Sequence, residues 1–320
     1  MSSHHINARH AELLNAALRA PSVHNAQPWG VKPLPDGSSY ELHYDQNEYL
    51  PDDPDDRDAM LTMGAFAETL VLEAPNWQLA AEVTTTMTRI GTDWHVANIR
   101  LVDDPTASPG ELGAAVARRR TNRNRYTCEP LPGDLEEKLA ALGNVIVPPG
   151  RLVPLVAEAS RRNWGDAAFV TGLKLWFRDD LSAEEGFTAP QMKLSRLDVA
   201  ALRFAFRRGR LSSSLLQRIY STRDISMFRS APAAAVLGAR SLDPLDLFDA
   251  GRRLLRSWVT IAAAGFDCHP FSIAIDDPTT ARRVGAEVGV ATPVALYRIG
   301  RCSVPPYGSN RKSLDSVSIT

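Results

Sequence analysis

Residues 20–29 read APSVHNAQPW and follow a predicted helix over residues 7–20. Pro21 ends that helix, because proline fixes φ and has no amide hydrogen. Ser22 can cap whatever follows it. From these residues alone two interpretations stay open, a capped loop whose side chains bind the backbone and a loop that binds a ligand.

The ligand interpretation depends on two amides and one aromatic ring. Asn25 and Gln27 each carry an amide that donates and accepts hydrogen bonds. Paired amides suit a ligand that shows donors and acceptors along one ring edge. Trp29 adds an apolar face beside them.

Outward from this stretch, the periodicity predicts a mixture of helices and strands. Helices are predicted at 59–74, 111–120, 134–142, 160–178, 244–264 and 279–288. Strands are predicted at 39–44, 144–147, 232–239 and 293–299, with a hairpin over 80–102 and a strand-like or mixed stretch at 151–156. Residues 182–230 hold two amphipathic, Arg-rich pieces. This order favours an α+β fold, a mixed sheet wrapped by long helices.

Composition excludes several classes of protein. The 320 residues are 44% hydrophobic with a net charge of -1, which carries no basic footprint for nucleic acid or an anionic membrane. No apolar run reaches spanning length, and the start, MSSHHINARH, lacks a secretory core. The three cysteines, Cys128, Cys268 and Cys302, lie at no metal-ligand spacing, so we expect reduced thiols, no metal site and a cytoplasmic protein.

A second polar stretch, RRRTNRNRY at residues 118–126, contains five arginines in eight residues. Arginine forks beside a threonine hydroxyl can bind a phosphate, and a solvated surface is an equally good reading. Arg311 and Lys312 in the tail could bind the same anion. Codon bias remains the main explanation for the excess of arginine over lysine in the whole chain.

Taken together, RAPSVHNAQPW and RRRTNRNRY resemble the flavin-dependent nitroreductase superfamily, and more closely its actinobacterial Acg-like subfamily. The resemblance is strong over residues 12–29 and 117–133, moderate over 228–317 and poor over 180–227. Ordinary members are homodimers with FMN at the interface. The resemblance therefore implies a monomer that imitates such a dimer, with halves at 1–105 and 110–320 and a lid-like insertion at about 182–230.

Candidate site residues follow from matching the family motifs, and all of them are cofactor-binding. The resemblance puts Arg119, Thr121 and Arg123 at the FMN phosphate and ribityl side, with Arg311 and Lys312 near the phosphate. It puts Pro21, Ser22, Asn25 and Gln27 on the element that reaches the flavin, and Phe271 and Ser272 beside its ring. Thr121 stands where the family has serine, and one extra residue precedes the aromatic Tyr126.

The implied activity is an FMN-dependent oxidoreductase. Hydride would pass from NAD(P)H to flavin N5 and then to a small acceptor, a nitroaromatic, a quinone or an enone-like metabolite. The cofactor supplies this chemistry, so no catalytic side chain is predicted. The alternative is a non-catalytic FMN-binding or flavin-sequestering protein whose lid covers the site.

Overall fold

The structure is a computed structural model that describes residues 7–45, 53, 55–208 and 214–319. The N-terminal stretch that lacks a secretory core lies largely outside the described residues, as do residues 209–213 of the predicted insertion. Contacts divide the chain into two units. The first unit is Met1–Arg119, Leu242–Val259 and Asn310–Thr320, and the second is Arg120–Ser241 and Thr260–Ser309. The predicted division at about residues 105–110 stays a prediction.

The strands of the described residues belong to two four-stranded sheets and one short pair. They are β1 (Trp29–Pro33), β2 (Ser39–Tyr44), β3 (Leu79–Ile90), β4 (Asp93–Asp103), β5 (Asn144–Val147), β6 (Phe177–Arg178), β7 (Phe187–Thr188), β8 (Ala233–Gly238), β9 (Asp267–Pro270) and β10 (Pro293–Gly300). Both four-stranded sheets are antiparallel throughout. Parallel pairing occurs between β6 and β7.

The helices vary from one turn to twenty residues. They are α1 (Ala8–Ala17), α2 (Arg57–Glu73), α3 (Glu111–Val116), α4 (Gly133–Ala141), α5 (Pro149–Gly165), α6 (Ala167–Trp176), α7 (Arg196–Arg208), α8 (Ser214–Arg229), α9 (Pro244–Ala263), α10 (Pro278–Val288) and α11 (Leu314–Val317). The α+β prediction is confirmed. The strands form two antiparallel sheets, where the sequence predicts one mixed sheet.

Local sequence explains the elements that were predicted correctly. The Asn7 side chain caps α1 by accepting from the Arg9 amide, and the apolar face of that helix is buried at Leu13 and Leu14. The β1–β2 turn needs the left-handed φ of 70° at Gly37. The predicted hairpin over 80–102 is the β3–β4 pair.

Three predicted elements were wrong in part. The predicted helix over 160–178 is interrupted at Asp166, and residues 177–178 form β6. Residues 151–156 lie inside α5, because Leu152, Val156 and Ala159 recur at helical spacing and are buried. The predicted helix over 111–120 ends at Val116. The consecutive arginines that follow would repel one another along a helix, and the chain leaves the helix through a turn at Ala117 and Arg118.

The two sheets share one topology. The first has the order β1-β2-β4-β3 and the second has the order β5-β8-β10-β9. Numbered along the chain within each sheet, both read 1-2-4-3. In both, the connection between the second and third strands holds a long buried helix, α2 in the first case and α9 in the second. These helices carry the glycines Gly64 and Gly251, where α2 meets the part of α9 that belongs to the first unit.

Candidate functional site

The APSVHNAQPW stretch forms a tight loop with an unusual backbone. His24, Asn25 and Gln27 all have positive φ, at 51°, 61° and 55°. Left-handed residues other than glycine cost free energy and are concentrated at functional sites. Trp29 follows this loop and packs on Phe66 with ring centroids 4.9 Å apart. The loop therefore has a strained backbone, and the residue that follows it is packed against α2.

The amides of Asn25 and Gln27 bind the C-terminal tail. The Asn25 amide accepts from Arg311 at 2.5 Å and donates to the Asn310 carbonyl at 3.2 Å. Gln27 Oε1 accepts from the Lys312 main-chain amide at 2.9 Å. Gln27 Nε2 donates to the carbonyl of Asn25 at 3.1 Å. The backbone-binding interpretation is thus realised for both amides, and they bring the tail cations to this loop.

Two arginines bind the end of α1 beside that loop. The guanidinium of Arg311 donates from Nε to the Leu18 carbonyl at 2.9 Å. Arg119 is 5% exposed and donates to the Arg19 carbonyl at 3.3 Å. Cations suit the carbonyl end of a helix, because the helix dipole is negative there. Arg119 and Arg311 therefore share one neighbourhood in the first unit, with Asn25 and Gln27. Ser22 belongs to it as well, because its hydroxyl accepts a hydrogen bond from the main-chain amide of Gln27 at 3.2 Å. Pro21 begins the same loop.

The Arg-rich segment is extended in the second unit and alternates in burial. Asn122 is 0% exposed, Asn124 is 7% exposed and Tyr126 is 6% exposed. Thr121 forms an isolated parallel bridge with Cys268, and the main-chain amide of Asn122 donates to the Cys268 carbonyl at 3.1 Å. The segment therefore lies along β9, the strand that leads to Phe271 and Ser272.

Arg123 lies between the buried residues Asn122 and Asn124 of this segment. Its guanidinium donates to the Gln191 carbonyl at 3.4 Å, and it forms none of the described ion pairs. Burial lowers the pKa of Arg123 to about 10, and the nearby cation Arg298 acts in the same direction. Arg123 is partly buried, and a cation whose described partners include no carboxylate favours an anion.

Arg298, on β10, is a candidate site residue that none of the sequence motifs contains. Its side chain is 0% exposed, and the guanidinium lies 4.0 Å from the ring centre of Tyr126. It donates to the Asn124 carbonyl at 2.7 Å, to the Asn122 carbonyl at 3.4 Å and to His269 Nδ1 at 3.1 Å. The available signal was a single charge in the apolar strand PVALYRIG, where a strand buried on both sides should have none.

Phe271 and Ser272 come directly after β9. Phe271 is 6% exposed and makes edge contacts with His269 and Phe228, with ring centroids 4.8 Å and 5.0 Å apart. Ser272 is exposed and begins a short 3-10 turn. Burial, with the positive charges of Arg123 and Arg298, holds the pKa of His269 well below its usual value. Thr121, Arg123 and Phe271 are thus in the second unit with a neutral histidine.

Two features are absent from the described residues. None of their helices is both long and apolar enough to cross a membrane. Among the same residues, no three His, Cys, Asp or Glu side chains are grouped so as to hold a metal ion.

Known proteins were compared with the whole chain. Two relatives are “Putative NAD(P)H nitroreductase Rv3131” of Mycobacterium tuberculosis strain ATCC 25618 / H37Rv and “Putative NAD(P)H nitroreductase MT3217” of strain CDC 1551 / Oshkosh. Each is 29% identical over 301 residues, which cover 90% of this chain and 83% of the relative. The resemblance to the nitroreductase superfamily is confirmed. The Acg-like assignment within the superfamily stays a prediction.

Solved nitroreductase structures overlap the chain in part. The FMN and NADPH-dependent nitroreductase NfnB of sphigopyxis sp. strain HMH shares 19% identity over 64% of this chain and 96% of that chain, with a TM-score of 0.39. The FMN-dependent nitroreductase NfnB of Mycobacterium smegmatis, in complex with NADPH, shares 17% identity over 62% of this chain and 94% of that chain, with a TM-score of 0.38. No protein-family model matches the chain.

Proposed function

We propose that the chain is an FMN-dependent oxidoreductase of the nitroreductase type. It would take electrons from NAD(P)H and pass them to a small acceptor, a nitroaromatic, a quinone or an enone-like metabolite. The observation that carries this proposal is the 29% identity over 90% of the chain to relatives named as putative NAD(P)H nitroreductases.

The residues of the second unit fit the charge of FMN. Arg123 is a partly buried cation whose described hydrogen bond goes to one carbonyl at 3.4 Å. The hydroxyl of Thr188, next to the Gln191 that binds Arg123, is buried without a hydrogen-bond partner. An arginine fork and a hydroxyl are good phosphate ligands, and an anion would replace the hydration that both groups have lost. Arg123 and Thr121 are the residues proposed to bind the phosphate and ribityl side.

When bound, FMN would supply the redox chemistry, which is transfer of a hydride from the nucleotide and of electrons to the second substrate. The protein's own residues bind and orient it. Phe271 offers an apolar edge, and Ser272 offers an exposed hydroxyl and amide beside it. Seven further residues keep their predicted cofactor-binding role as part of this proposal: Pro21, Ser22, Asn25, Gln27, Arg119, Arg311 and Lys312. No described side chain is required to move a proton.

The chain is proposed to be a monomer built from two nitroreductase-like halves. Support comes from the shared 1-2-4-3 strand order and from the long helix in the same connection of each sheet. Residues 182–230, which hold β7, α7 and α8 among their described part, remain the proposed lid. We place the protein in the cytoplasm as part of the same proposal.

An anaerobic reduction experiment tests the function. Purified protein is loaded with FMN, freed of excess and mixed with NADPH or NADH while the flavin band is followed. The reductase predicts rapid bleaching with at least one nucleotide, faster than for free FMN at the same concentration. Retained FMN that neither nucleotide bleaches would favour the flavin-sequestering alternative. A protein that takes up no FMN would contradict both functions.

A further inference from the structure

Arg298 is a fully buried cation whose partners are neutral. Its hydrogen-bond acceptors are two carbonyl oxygens, a histidine nitrogen and the Ser230 hydroxyl, the last at 3.2 Å. A buried charge is costly unless its geometry is fully satisfied, and an apolar side chain of similar volume would often be more stable there. Stability alone therefore does not explain why an arginine occupies this position.

One end of the guanidinium binds the Arg-rich segment. Its terminal nitrogen donates to the carbonyls of Asn122 and Asn124, which flank Arg123. Tyr126 completes this end, because its ring lies under the guanidinium and its hydroxyl donates to the Asn122 carbonyl at 2.7 Å. Gly300 leaves room for that ring, since a methyl group there would lie 2.6 Å from the Tyr126 ring. Arg298 thus fixes the main chain on both sides of Arg123.

The other end of the guanidinium binds the strand that leads to Phe271. Arg298 Nε always carries a hydrogen, so His269 Nδ1 must accept in the 3.1 Å contact between them. The proton of a neutral His269 therefore resides on Nε2. The His269 ring also makes an edge contact with the ring of Phe271. The charged groups that act on the ring are Arg298 on β10 and Arg123 on the Arg-rich segment, and Asp267, two residues earlier on β9, interacts with Arg298.

We propose that Arg298 is a positioning residue of the flavin site, which joins the Arg123 segment to the Phe271 loop and presents His269 as a neutral donor with its proton on Nε2. The inference rests on the proposed function for its ligand. The contacts that Arg298 makes with His269, Asn122 and Asn124 all lie within the second unit.

Nitrogen NMR of the histidine rings tests the contact between Arg298 and His269 without any ligand. The spectra of wild type, Arg298→Met and Arg298→Lys are compared across pH, with His269→Gln to assign the resonance. Wild type should show the Nε2-protonated form and should protonate only at a pH well below that of an ordinary histidine, because burial and the two nearby arginines lower the pKa of His269. Arg298→Met should give a mixture of tautomers that protonates at higher pH. Arg301→Met is the matched control, because Arg301 also stacks on an aromatic ring, at 4.4 Å from Phe266, and contacts neither His269 nor residues 122–124.

FMN affinity, measured by flavin fluorescence, tests the consequence for the ligand. Arg298→Met should weaken binding at least tenfold, and Arg298→Lys should fall between it and wild type, because lysine keeps the charge and loses the planar fork. Arg301→Met should bind as wild type does. An unchanged His269 spectrum in Arg298→Met, or unchanged FMN affinity, would overturn the proposal. If Arg298→Met does not fold, Arg298→Lys with wild-type spectrum and affinity overturns it. Wild type that takes up no FMN would instead defeat the proposed function.

Discussion

Gly64 and Gly251 occupy equivalent places in the contact between α2 and α9. A methyl group on Gly64 would lie 2.0 Å from the carbonyl oxygen of Phe248, and one on Gly251 would lie 2.1 Å from that of Leu61. Each contacted residue is three positions before the other glycine. The contact is therefore reciprocal, as in the self-complementary interface of a two-fold dimer.

Gly251→Ala should destabilise the protein by about 1–3 kcal/mol, because the helices must separate to admit the methyl group. Thermal unfolding measures this as a fall in Tm of several degrees. Gly150→Ala on α5 is the control, since nothing lies within 4 Å of its added methyl group. That variant should be as stable as wild type or slightly more stable. Equal Tm values for the two variants would contradict the close contact.

Glu68 joins the same two helices through charge. Its carboxylate is 2% exposed and accepts from Arg252 at 2.9 Å and from Arg256 Nε at 2.7 Å. Glu68→Gln should lower the free energy of unfolding by about 1–3 kcal/mol, because charged hydrogen bonds are lost while the arginines keep some access to water. Urea unfolding of Glu82→Gln gives the comparison, as that exposed carboxylate lies 3.7 Å from Arg100. Its change should be below about 0.5 kcal/mol, and a Glu68→Gln effect no larger would count against the buried pair.

Asp53 should make stability depend on pH. It is 6% exposed, and burial, with the charge of Asp58, raises its pKa to about 7. The folded chain then holds a proton that the unfolded chain has released, so this contribution to stability is present below about pH 4 and is lost as pH rises to 7. Asp53→Asn should therefore raise Tm relative to wild type at pH 8 by roughly 2 °C or more, and much less at pH 5. Asp55→Asn, at an exposed neighbour, is measured at both pH values for comparison. A gain for Asp53→Asn that did not vary with pH would refute the assignment.

Arg119→Ala combined with Arg123→Ala should weaken FMN binding at least tenfold, because two arginine forks proposed for the phosphate side are removed. Equilibrium dialysis with FMN measures the change. Arg118→Ala, an exposed arginine of the same segment, should bind FMN as wild type does. Equal affinity in the double variant and wild type would remove the phosphate assignment.

Local patterns predicted most elements, because the periodicity of a helix or a hairpin is contained within it. The stretch at 151–156 was misread since Pro154 lies inside α5, where a proline is expected to interrupt a helix. Burial of a strand on both sides depends on its neighbours, and so the sequence could show that β10 is a strand but not that Arg298 is enclosed. The motif residues were found by resemblance, whereas His269 and Arg298 lie 29 positions apart and only strand pairing brings them together.

The three-part composition of the first unit has a consequence for biosynthesis. Its first stretch leaves the ribosome early, yet Leu242–Val259 and Asn310–Thr320 are made much later. At the far end, the Ile319 amide donates to the Val31 carbonyl on β1 at 2.9 Å. Contacts between such distant positions form slowly, since a long loop must close before they are gained. Of the two units, the first therefore begins earlier in translation and receives its last stretch later, and the edge of β1 stays open to other pairing partners until residues 310–320 are made.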